Sequence, residues 1–218
     1  MQDRAAAVIV NDPARGQSLL WTPLAGRMIL ARTIDVFEAS PLIGAIVLVL
    51  DAEQLTEAAV LLRHESWHKI TAIVAGGSSR QASLHIGLDA LAGTGTAWVM
   101  IHDAARPLVT QAILAAGLQA AQQHQAAIAA VPVKETIKQV QHGQISATLD
   151  RSQLWTLQTP QVFSYPLIHQ AHQHLTAQKE ATLLERLGQC VIIFPGSYTN
   201  IKITTAEDLL LAEALLRG

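Results

Sequence analysis

Short apolar runs alternate with longer amphipathic segments along most of this chain. Apolar runs typical of buried strands cover residues 5–10, 45–50, 70–74, 97–101, 126–131 and 190–194, with a shorter one at 200–203. Apolar residues spaced three or four apart predict helices over 28–39, 53–65, 80–91, 110–124, 164–187 (in one piece or two) and 206–216. This alternation predicts an α/β fold with three layers, Rossmann-like, around a mainly parallel sheet.

The pattern changes after Val133, where polar and apolar residues partly alternate. Two short strands are predicted over 136–140 and 145–149, joined by a turn at His142-Gly143. We interpret residues 136–150 as a β-hairpin arm that projects from the main sheet. The chain shows no internal repeat or low-complexity linker, so we expect one domain over residues 1–218 that carries this arm.

Composition excludes several classes of protein. The net charge is −2 over 218 residues, so a broad basic surface for nucleic acid is not expected. The only cysteine is Cys190, which rules out an intramolecular disulfide and fits a cytoplasmic protein. The first apolar run is too short for a secretory signal, and no stretch reaches membrane-spanning length, so no membrane partner is expected.

The first candidate site follows the apolar run 97–101, which is interrupted by His102-Asp103-Ala104-Ala105-Arg106-Pro107. A carboxylate and a guanidinium are thereby placed just beyond the carboxyl end of a central strand. Ligands bind at that edge of open α/β sheets. The alternative is a surface turn held by a local ion pair between Asp103 and Arg106.

A second candidate is the segment Gly76-Gly77-Ser78-Ser79-Arg80, between a predicted strand and a predicted helix. Glycines permit close approach of a ligand to the backbone, and the helix N-terminus offers free N–H groups. Ser83 lies one turn into the helix, within reach of the loop. The alternative is an ordinary turn followed by a serine cap.

Cations near strand ends form a third group: Lys134, Lys138, Arg151 and Lys202. Each one alone is typical of a solvated surface charge. Lys202 stands out because it lies between Ile201 and Ile203, just before a predicted helix. A cation in that position is suited to bind a phosphate.

The zinc-hydrolase pattern HExxH occurs once, from His64 to His68, and we reject it. That motif needs both histidines on one helix face and a third ligand. A β-branched run starts at Ile70, so the helix is expected to end before His68.

Several of these segments, taken together, resemble one family. The chain resembles the 2-C-methyl-D-erythritol 4-phosphate cytidylyltransferases in the order and spacing of four segments. They are 102–107 (HDAARP), 131–136 (VPVKET), 154–163 (LWTLQTPQVF) and 200–204 (NIKIT), the last followed by Glu207-Asp208-Leu209 at the start of a helix. The resemblance runs from about Leu24 to the C-terminus, and the motifs are specific only as a set.

The resemblance implies an enzyme of non-mevalonate isoprenoid biosynthesis. It would join CTP to 2-C-methyl-D-erythritol 4-phosphate (methylerythritol phosphate) and release diphosphate, with Mg²⁺ held mainly by the nucleotide phosphates. The implied nucleotide-binding residues are Gly76, Gly77, Ser78, Ser83 and Asp103, the last also beside the metal. The implied residues for methylerythritol phosphate are Asp103, Arg106, Thr136, Arg151 and Lys202. Arg151 and Lys202, with Arg15, are the candidate catalytic cations.

The family also implies a homodimer whose hairpin arms exchange. Thr136 and Arg151 would then serve the active site of the neighbouring subunit. This expectation agrees with the arm that the pattern of the sequence predicts over 136–150.

The sequence departs from the family between Val10 and Pro23. The family has a glycine-rich loop with an arginine and a Pro-Lys-Gln segment; here those three positions are Ser18, Leu19 and Leu20. The loop is shorter, lacks the lysine and contains Asp12, so Arg15 is left to replace a lost cation. A second departure is at 178–181, where the family carries an acidic segment. The alternative function is therefore a catalytically impaired homologue that binds a phosphorylated ligand or a partner.

Overall fold

The computed structural model describes residues 4–11, 19–174 and 180–217, in which strands and helices alternate as the sequence predicts. The strands are β1 (Ala5–Val10), β2 (Pro23–Leu24), β3 (Arg27–Met28), β4 (Ile43–Leu50), β5 (Ile70–Ala75), β6 (Trp98–Asp103), β7 (Ala126–Pro132), β8 (Lys138–Gln141), β9 (Gln144–Thr148), β10 (Trp155–Ser164) and β11 (Ile192–Pro195). The helices are α1 (Ile29–Ala39), α2 (Leu55–His64), α3 (Arg80–Asp89), α4 (Gln111–His124), α5 (Tyr165–His174), α6 (Glu180–Arg186) and α7 (Ala206–Arg217).

A seven-stranded sheet forms the centre of the molecule, in the order β11-β7-β10-β6-β1-β4-β5. Neighbouring strands are parallel except at β10, which runs antiparallel to both β6 and β7. The six parallel strands therefore end at one edge of the sheet, and β10 begins there. The sheet is mainly parallel, as expected from the alternation of strands and helices.

Helices cover both faces of this sheet, which gives the three layers that the sequence predicts. Along β1, Ala5, Ala7 and Ile9 pack into one core with α1, α2, α4 and α7. The alternate residues Val8 and Val10 pack into the other core with α3, α5 and α6. Side chains alternate between the faces of a strand, so a strand buried on both faces is apolar throughout.

The hairpin of β8 and β9 is separate from the main sheet and pairs antiparallel. Its turn is His142-Gly143, and both residues have positive φ, 50° and 79°. Such a two-residue turn matches the twist of a hairpin. Val140 and Ile145 are 56% and 66% exposed in this chain. The arm predicted from the pattern is confirmed, with its strands at 138–141 and 144–148.

The largest error of the sequence-based prediction is β10, a ten-residue strand that the periodicity did not indicate. Its first three residues are exposed and the next six are buried, so the strand shows neither a clear alternation nor a continuous apolar run. The strand expected at 200–203 is absent, since that segment is irregular. Ile203 N donates a hydrogen bond to Ala105 O at 2.9 Å. A strand needs a series of such hydrogen bonds to a neighbouring strand, and one is not enough.

In the described part of the chain, no helix combines the length and the apolar character needed to cross a membrane.

Candidate active site

The candidate site lies at the edge where the parallel strands end. Val10 and Asp103 are paired at the ends of β1 and β6, and Ala104 N donates to Val10 O at 2.9 Å. The chain passes from β1 to β4 and β5 on one side and then returns to β6 on the other side. Crevices at such a change of direction are the usual ligand sites of open α/β sheets.

Asp103 is the centre of a cluster of charges. Its Oδ1 lies 2.7 Å from Arg80 Nη1, and its Oδ2 lies 3.2 Å from Arg106 Nε and 3.4 Å from Lys202 Nζ. The cations come from α3, from the turn after β6 and from the segment before α7. The family resemblance implied that Asp103, Arg106 and Lys202 share one site, and the structure brings the three side chains together.

The cluster is buried and carries more positive than negative charge around this carboxylate. Only 7% of the Asp103 side chain is exposed. Burial alone would raise the pKa of Asp103, but the three cations outweigh that effect and hold this pKa well below its ordinary value. Asp103 is therefore ionised at neutral pH, and the excess positive charge favours an anionic ligand.

The turn between Asp103 and Arg106 is held by hydrogen bonds to its carbonyl groups. Thr33 Oγ1 donates to Ala104 O at 2.8 Å, and Arg106 N donates to Asp103 O at 3.1 Å. His102 Nε2 lies 3.1 Å from Arg106 O. Burial lowers the pKa of His102 to about 4, so the ring is neutral and can donate this bond. The ion pair of the alternative drawn from the sequence is present between Asp103 and Arg106, but Asp103 and Ala104 are buried, so the turn does not lie on the surface.

Lys202 is positioned by a polar network that the sequence did not reveal. Asn200 is fully buried, and its Nδ2 donates to Thr159 O at 2.8 Å. Gln158 Nε2 donates to Ser197 O at 2.8 Å, and Arg106 Nη1 donates to Asn200 O at 2.8 Å. These bonds join the segment before α7 to the middle of β10. Lys202 therefore approaches Asp103 from an anchored backbone.

The loop after β5 is shaped by close contacts between its glycines and α3. Gly77 N donates to Ser83 Oγ at 3.1 Å. A Cβ at Gly76 would lie 2.7 Å from Ser83 Oγ, and one at Gly77 would lie 2.5 Å from Ala82 Cβ. Ser79 caps the helix by accepting from Ala82 N at 3.1 Å. The glycines are thus required for close packing, and Ser83 is buried against the loop while Ser78 is exposed.

Thr136 and Arg151 lie elsewhere, at the base of the arm, and both are exposed in this chain. Arg151 Nη1 donates to Lys134 O at 2.7 Å. The Lys134 ammonium lies 3.5 Å from the centre of the Tyr198 ring, on the segment that leads to Lys202. The structure therefore places the base of the arm next to the segment that carries Lys202.

The loop that departs from the family is only partly described. Arg15, Asp12 and Ser18 lie outside the described residues. Leu20 is 1% exposed and belongs to the core, so its side chain does not face a ligand. Asn11 directs its Nδ2 to Asp51 Oδ2 at 2.8 Å, away from Asp103.

Sequence reasoning also missed Arg80 and Thr159. Thr159 Oγ1 accepts from Asp103 N at 3.0 Å and so fixes the end of β6. Arg80 was visible in the motif Gly76–Arg80, but only the glycines and serines were considered there. The available signal was an arginine at the first helical position, beside the edge where ligands bind.

For a divalent metal, the described residues offer a partial fit. No group of three or more histidine, cysteine, aspartate or glutamate side chains is arranged there to hold an ion. Asp103 supplies a carboxylate, the kind of ligand that Mg²⁺ prefers. A magnesium ion bound by one carboxylate and by substrate phosphates fits this residue set, whereas a cage formed only by protein does not.

The HExxH pattern does not form a zinc site in this fold. α2 ends at His64, and Glu65 is already extended. His68 lies beyond the helix, where its backbone N donates to Glu38 Oε1 at 2.8 Å. The two histidines therefore do not share a helix face, for the reason given from the sequence.

Comparison with known proteins gives a consistent result. The family model for 2-C-methyl-D-erythritol 4-phosphate cytidylyltransferase matches residues 5–218. A protein of that name from Dehalococcoides mccartyi is 42% identical over 224 aligned positions, which cover 100% of this chain and 98% of the relative. Another from Geobacter metallireducens is 44% identical over 203 positions, covering 89% of this chain and 87% of the relative.

Solved structures agree with the sequence comparison. The 4-diphosphocytidyl-2C-methyl-D-erythritol synthase of Anaerococcus prevotii has a TM-score of 0.87 at 26% identity and covers 99% of this chain and 97% of its own. The 2-C-methyl-D-erythritol 4-phosphate cytidylyltransferase of Thermus thermophilus has a TM-score of 0.80 at 29% identity, with 99% and 100% covered. The chain therefore belongs to the 2-C-methyl-D-erythritol 4-phosphate cytidylyltransferase family.

Proposed function

We propose that this protein transfers the cytidylyl group of CTP to methylerythritol phosphate and releases diphosphate. The observation that carries the proposal is the buried cluster of Asp103 with Arg106 and Lys202, on the edge of the sheet where ligands bind. Membership of the family supplies the two substrates.

The chemistry needs cations and fixed geometry rather than a general base. A phosphate oxygen of methylerythritol phosphate attacks the α-phosphorus of CTP, a new P–O bond forms, and the bond to the β-phosphate breaks. Both substrates are anionic, so the chain must hold them together and neutralise the charge of the transition state. Lys202 and Arg106 are assigned to the phosphate of methylerythritol phosphate. They are charged donors beside Asp103, on the segment before α7 and on the turn after β6.

The nucleotide is assigned to the loop after β5. Gly76 and Gly77 keep the loop close to α3, and the cytosine and ribose would approach its backbone, Ser78 and Ser83. Asp103, at the end of β6, would contact the ribose. Arg15 is assigned to the triphosphate.

Magnesium is part of this proposal. Asp103 and the phosphates of CTP would hold the ion, which would neutralise phosphate charge when bound. The fit rests on a single carboxylate at the edge of the sheet.

A homodimer is also part of the proposal. The exposed apolar side chains of the arm, Val140 and Ile145, support it, because a partner subunit would cover them. Thr136 and Arg151, at the base of the arm, would then complete the active site of the partner. The cytoplasmic location expected from the sequence remains a prediction.

The test is release of diphosphate from CTP and methylerythritol phosphate in the presence of Mg²⁺, with Arg15→Ala beside the wild type. Turnover that falls about 100-fold in the variant supports catalysis with a shortened loop that still binds triphosphate. If the wild type turns over and Arg15→Ala is equally active, the role of Arg15 is rejected but the proposed reaction is not. No turnover, with methylerythritol phosphate still bound in calorimetry, would reject the enzyme and favour the impaired homologue.

A further inference from the structure

Arg80 lies where the nucleotide loop meets the charge cluster. It is the first residue of α3, directly after the cap Ser79. Its Nη1 is 2.7 Å from Asp103 Oδ1, and its Nε is 3.8 Å from Glu180 Oε1 at the start of α6. One guanidinium therefore links the helix of the nucleotide loop, the end of β6 and the first residue of α6.

The two carboxylates that Arg80 contacts are both buried. The side chains of Asp103 and Glu180 are 7% and 3% exposed, and that of Arg80 is 18% exposed. A buried carboxylate without a compensating charge is strongly unfavourable, so each of them needs a cation. A guanidinium can serve both because it is planar and carries five N–H donors.

The contacts of Asp103 are divided between its two oxygen atoms. Arg80 takes Oδ1, whereas Arg106 and Lys202 take Oδ2. The bond to Oδ1 fixes the rotation of the carboxylate about χ2, and with it the position of Oδ2. The alignment of Asp103 with the cations on the substrate side thus depends on Arg80.

Glu180 belongs to the second segment in which the sequence departs from the family. Gln178 and Lys179 lie outside the described residues, but Glu180 keeps an acidic group in that segment, buried beside Arg80. Glu180 is buried and contacts Arg80, which in turn contacts Asp103, so its carboxylate does not serve merely to make the surface polar.

We propose that Arg80 is a positioning residue for the cytidylyl transfer, which orients the Asp103 carboxylate and is itself held in place by Glu180. The inference rests on the proposed function. Arg80 acts through Asp103, and Glu180 acts through Arg80. The order Glu180, Arg80, Asp103 is a chain of contacts, so substitutions along it must be coupled rather than additive.

The test is a double-mutant cycle with Arg80→Gln, Glu180→Gln and the double variant, measured as kcat and KM for both substrates. We expect Arg80→Gln to lower kcat about tenfold or more, because small misplacements of groups in a site are costly. Glu180→Gln, which keeps the shape of the side chain, is expected to lower kcat about threefold. The double variant should match Arg80→Gln within about twofold.

Two further variants separate positioning from stability. Arg80→Lys keeps the charge but has one donor group in place of a fork, so it should restore kcat only in part. Arg63→Gln removes an exposed arginine from α2 and should leave kcat unchanged. Melting temperatures are recorded for all variants, since a purely structural Arg80 would lower stability without a coupled change in kcat.

Each outcome decides the matter. Effects of Arg80→Gln and Glu180→Gln that multiply in the double variant would overturn the inference, as would a wild-type kcat in Arg80→Gln. If Arg80→Gln does not fold, Glu180→Gln at an unchanged melting temperature decides alone: a lowered kcat supports positioning, and an unchanged kcat rejects it. If the wild type does not turn over, the proposed function fails, and the same cycle is measured on CTP affinity by calorimetry, where additive effects reject the role of Arg80.

Discussion

At the scale of single residues, the proposed binding of the substrate phosphate depends most on the ammonium group of Lys202. It lies 3.4 Å from Asp103 Oδ2, at the end of a backbone segment anchored by Asn200. A cation that is held in place before the substrate binds needs little reorganisation to stabilise a transferring phosphate.

Replacing Lys202 by methionine is expected to lower kcat/KM about 100-fold or more, because an oriented cation is lost from the site. Steady-state assays of diphosphate release measure the effect, and Lys138→Met provides the control. Lys138 lies on the exposed arm, where its Nζ donates to Thr148 Oγ1 at 2.7 Å. Activity of Lys202→Met within a few-fold of the wild type would contradict the assignment.

His172 is a second residue whose environment leads to a prediction. It is 7% exposed on α5, and neither ring nitrogen has a hydrogen-bond partner among the residues that the structure describes. Burial, followed by the repulsion of His85 and His169, lowers the pKa of His172 to about 4, although Asp89 acts in the opposite direction. The folded protein therefore holds this ring neutral below the ordinary histidine pKa.

The sign of the effect on stability follows from linkage. Between pH 6.5 and 4 the unfolded chain binds a proton at His172 that the folded chain does not bind, so stability falls as the pH falls through that window. The loss reaches up to about 3 kcal/mol. His172→Leu should raise the melting temperature at pH 7 by a few degrees and reduce the loss at pH 4.5. The exposed His124→Gln should change neither, and an unaltered pH dependence in His172→Leu would refute this account.

At the residue scale, the sequence predicted the polar groups that follow a strand end but not those that support them. Asp103 and Arg106 follow an apolar run directly, and Lys202 stands out between two isoleucines. Asn200 and Thr159 have no such local signal, because their partners are 41 and 56 residues away in the chain. Only the fold shows that these residues meet.

At the scale of elements, the loop after β5 and helix α3 form one packed unit. Gly77 has an ordinary negative φ, so its role is not conformational freedom but space. Because Gly77 has no side chain, α3 can pack closely against the loop. A Cβ added at Gly77 would lie only 2.5 Å from Ala82 Cβ. The backbone of the loop is thereby held beside Ser83.

Gly77→Ala is therefore expected to push the loop away from α3 and to raise KM for CTP about tenfold, since a shift of the loop misplaces its donors. KM for methylerythritol phosphate should change much less, because Lys202 and Arg106 are on other elements. Gly44→Ala is the matched control, since its added Cβ would meet nothing closer than 3.4 Å. Equal rises of KM for both substrates would count against a nucleotide loop.

The elements also show why one strand of the sheet escaped prediction. The helices and parallel strands have one period along their length, and their positions follow from the sequence. β10 passes from three exposed residues to six buried ones as it enters the space between β6 and β7, so no single period describes it. The pairing of β10 is set by strands distant in sequence, and tertiary context decides such cases.

At the scale of the whole molecule, the residues proposed for the site come from two separate parts of the chain. The sheet edge gathers Asp103, Arg106 and Lys202 within one subunit, whereas Thr136 and Arg151 are on the base of an arm that stands apart from the sheet. An arm with exposed apolar side chains, such as Val140 and Ile145, is suited to bind a second copy. If the arms are exchanged, Lys202 serves the site of its own subunit, whereas Thr136 and Arg151 serve the site of the partner.

That claim can be tested by complementation between two inactive variants. Lys202→Met damages the site of its own subunit, and Arg151→Met damages, on this proposal, the site of the partner. In a mixed dimer both substitutions then fall in one site, and the other site is intact. Coexpression in equal amounts should give about half mixed dimers and so recover about a quarter of wild-type activity. If Arg151 served its own subunit, every site would carry a substitution, and no activity would return. The purified dimer fraction from sedimentation, assayed beside each single variant, therefore distinguishes exchanged arms from a self-contained site.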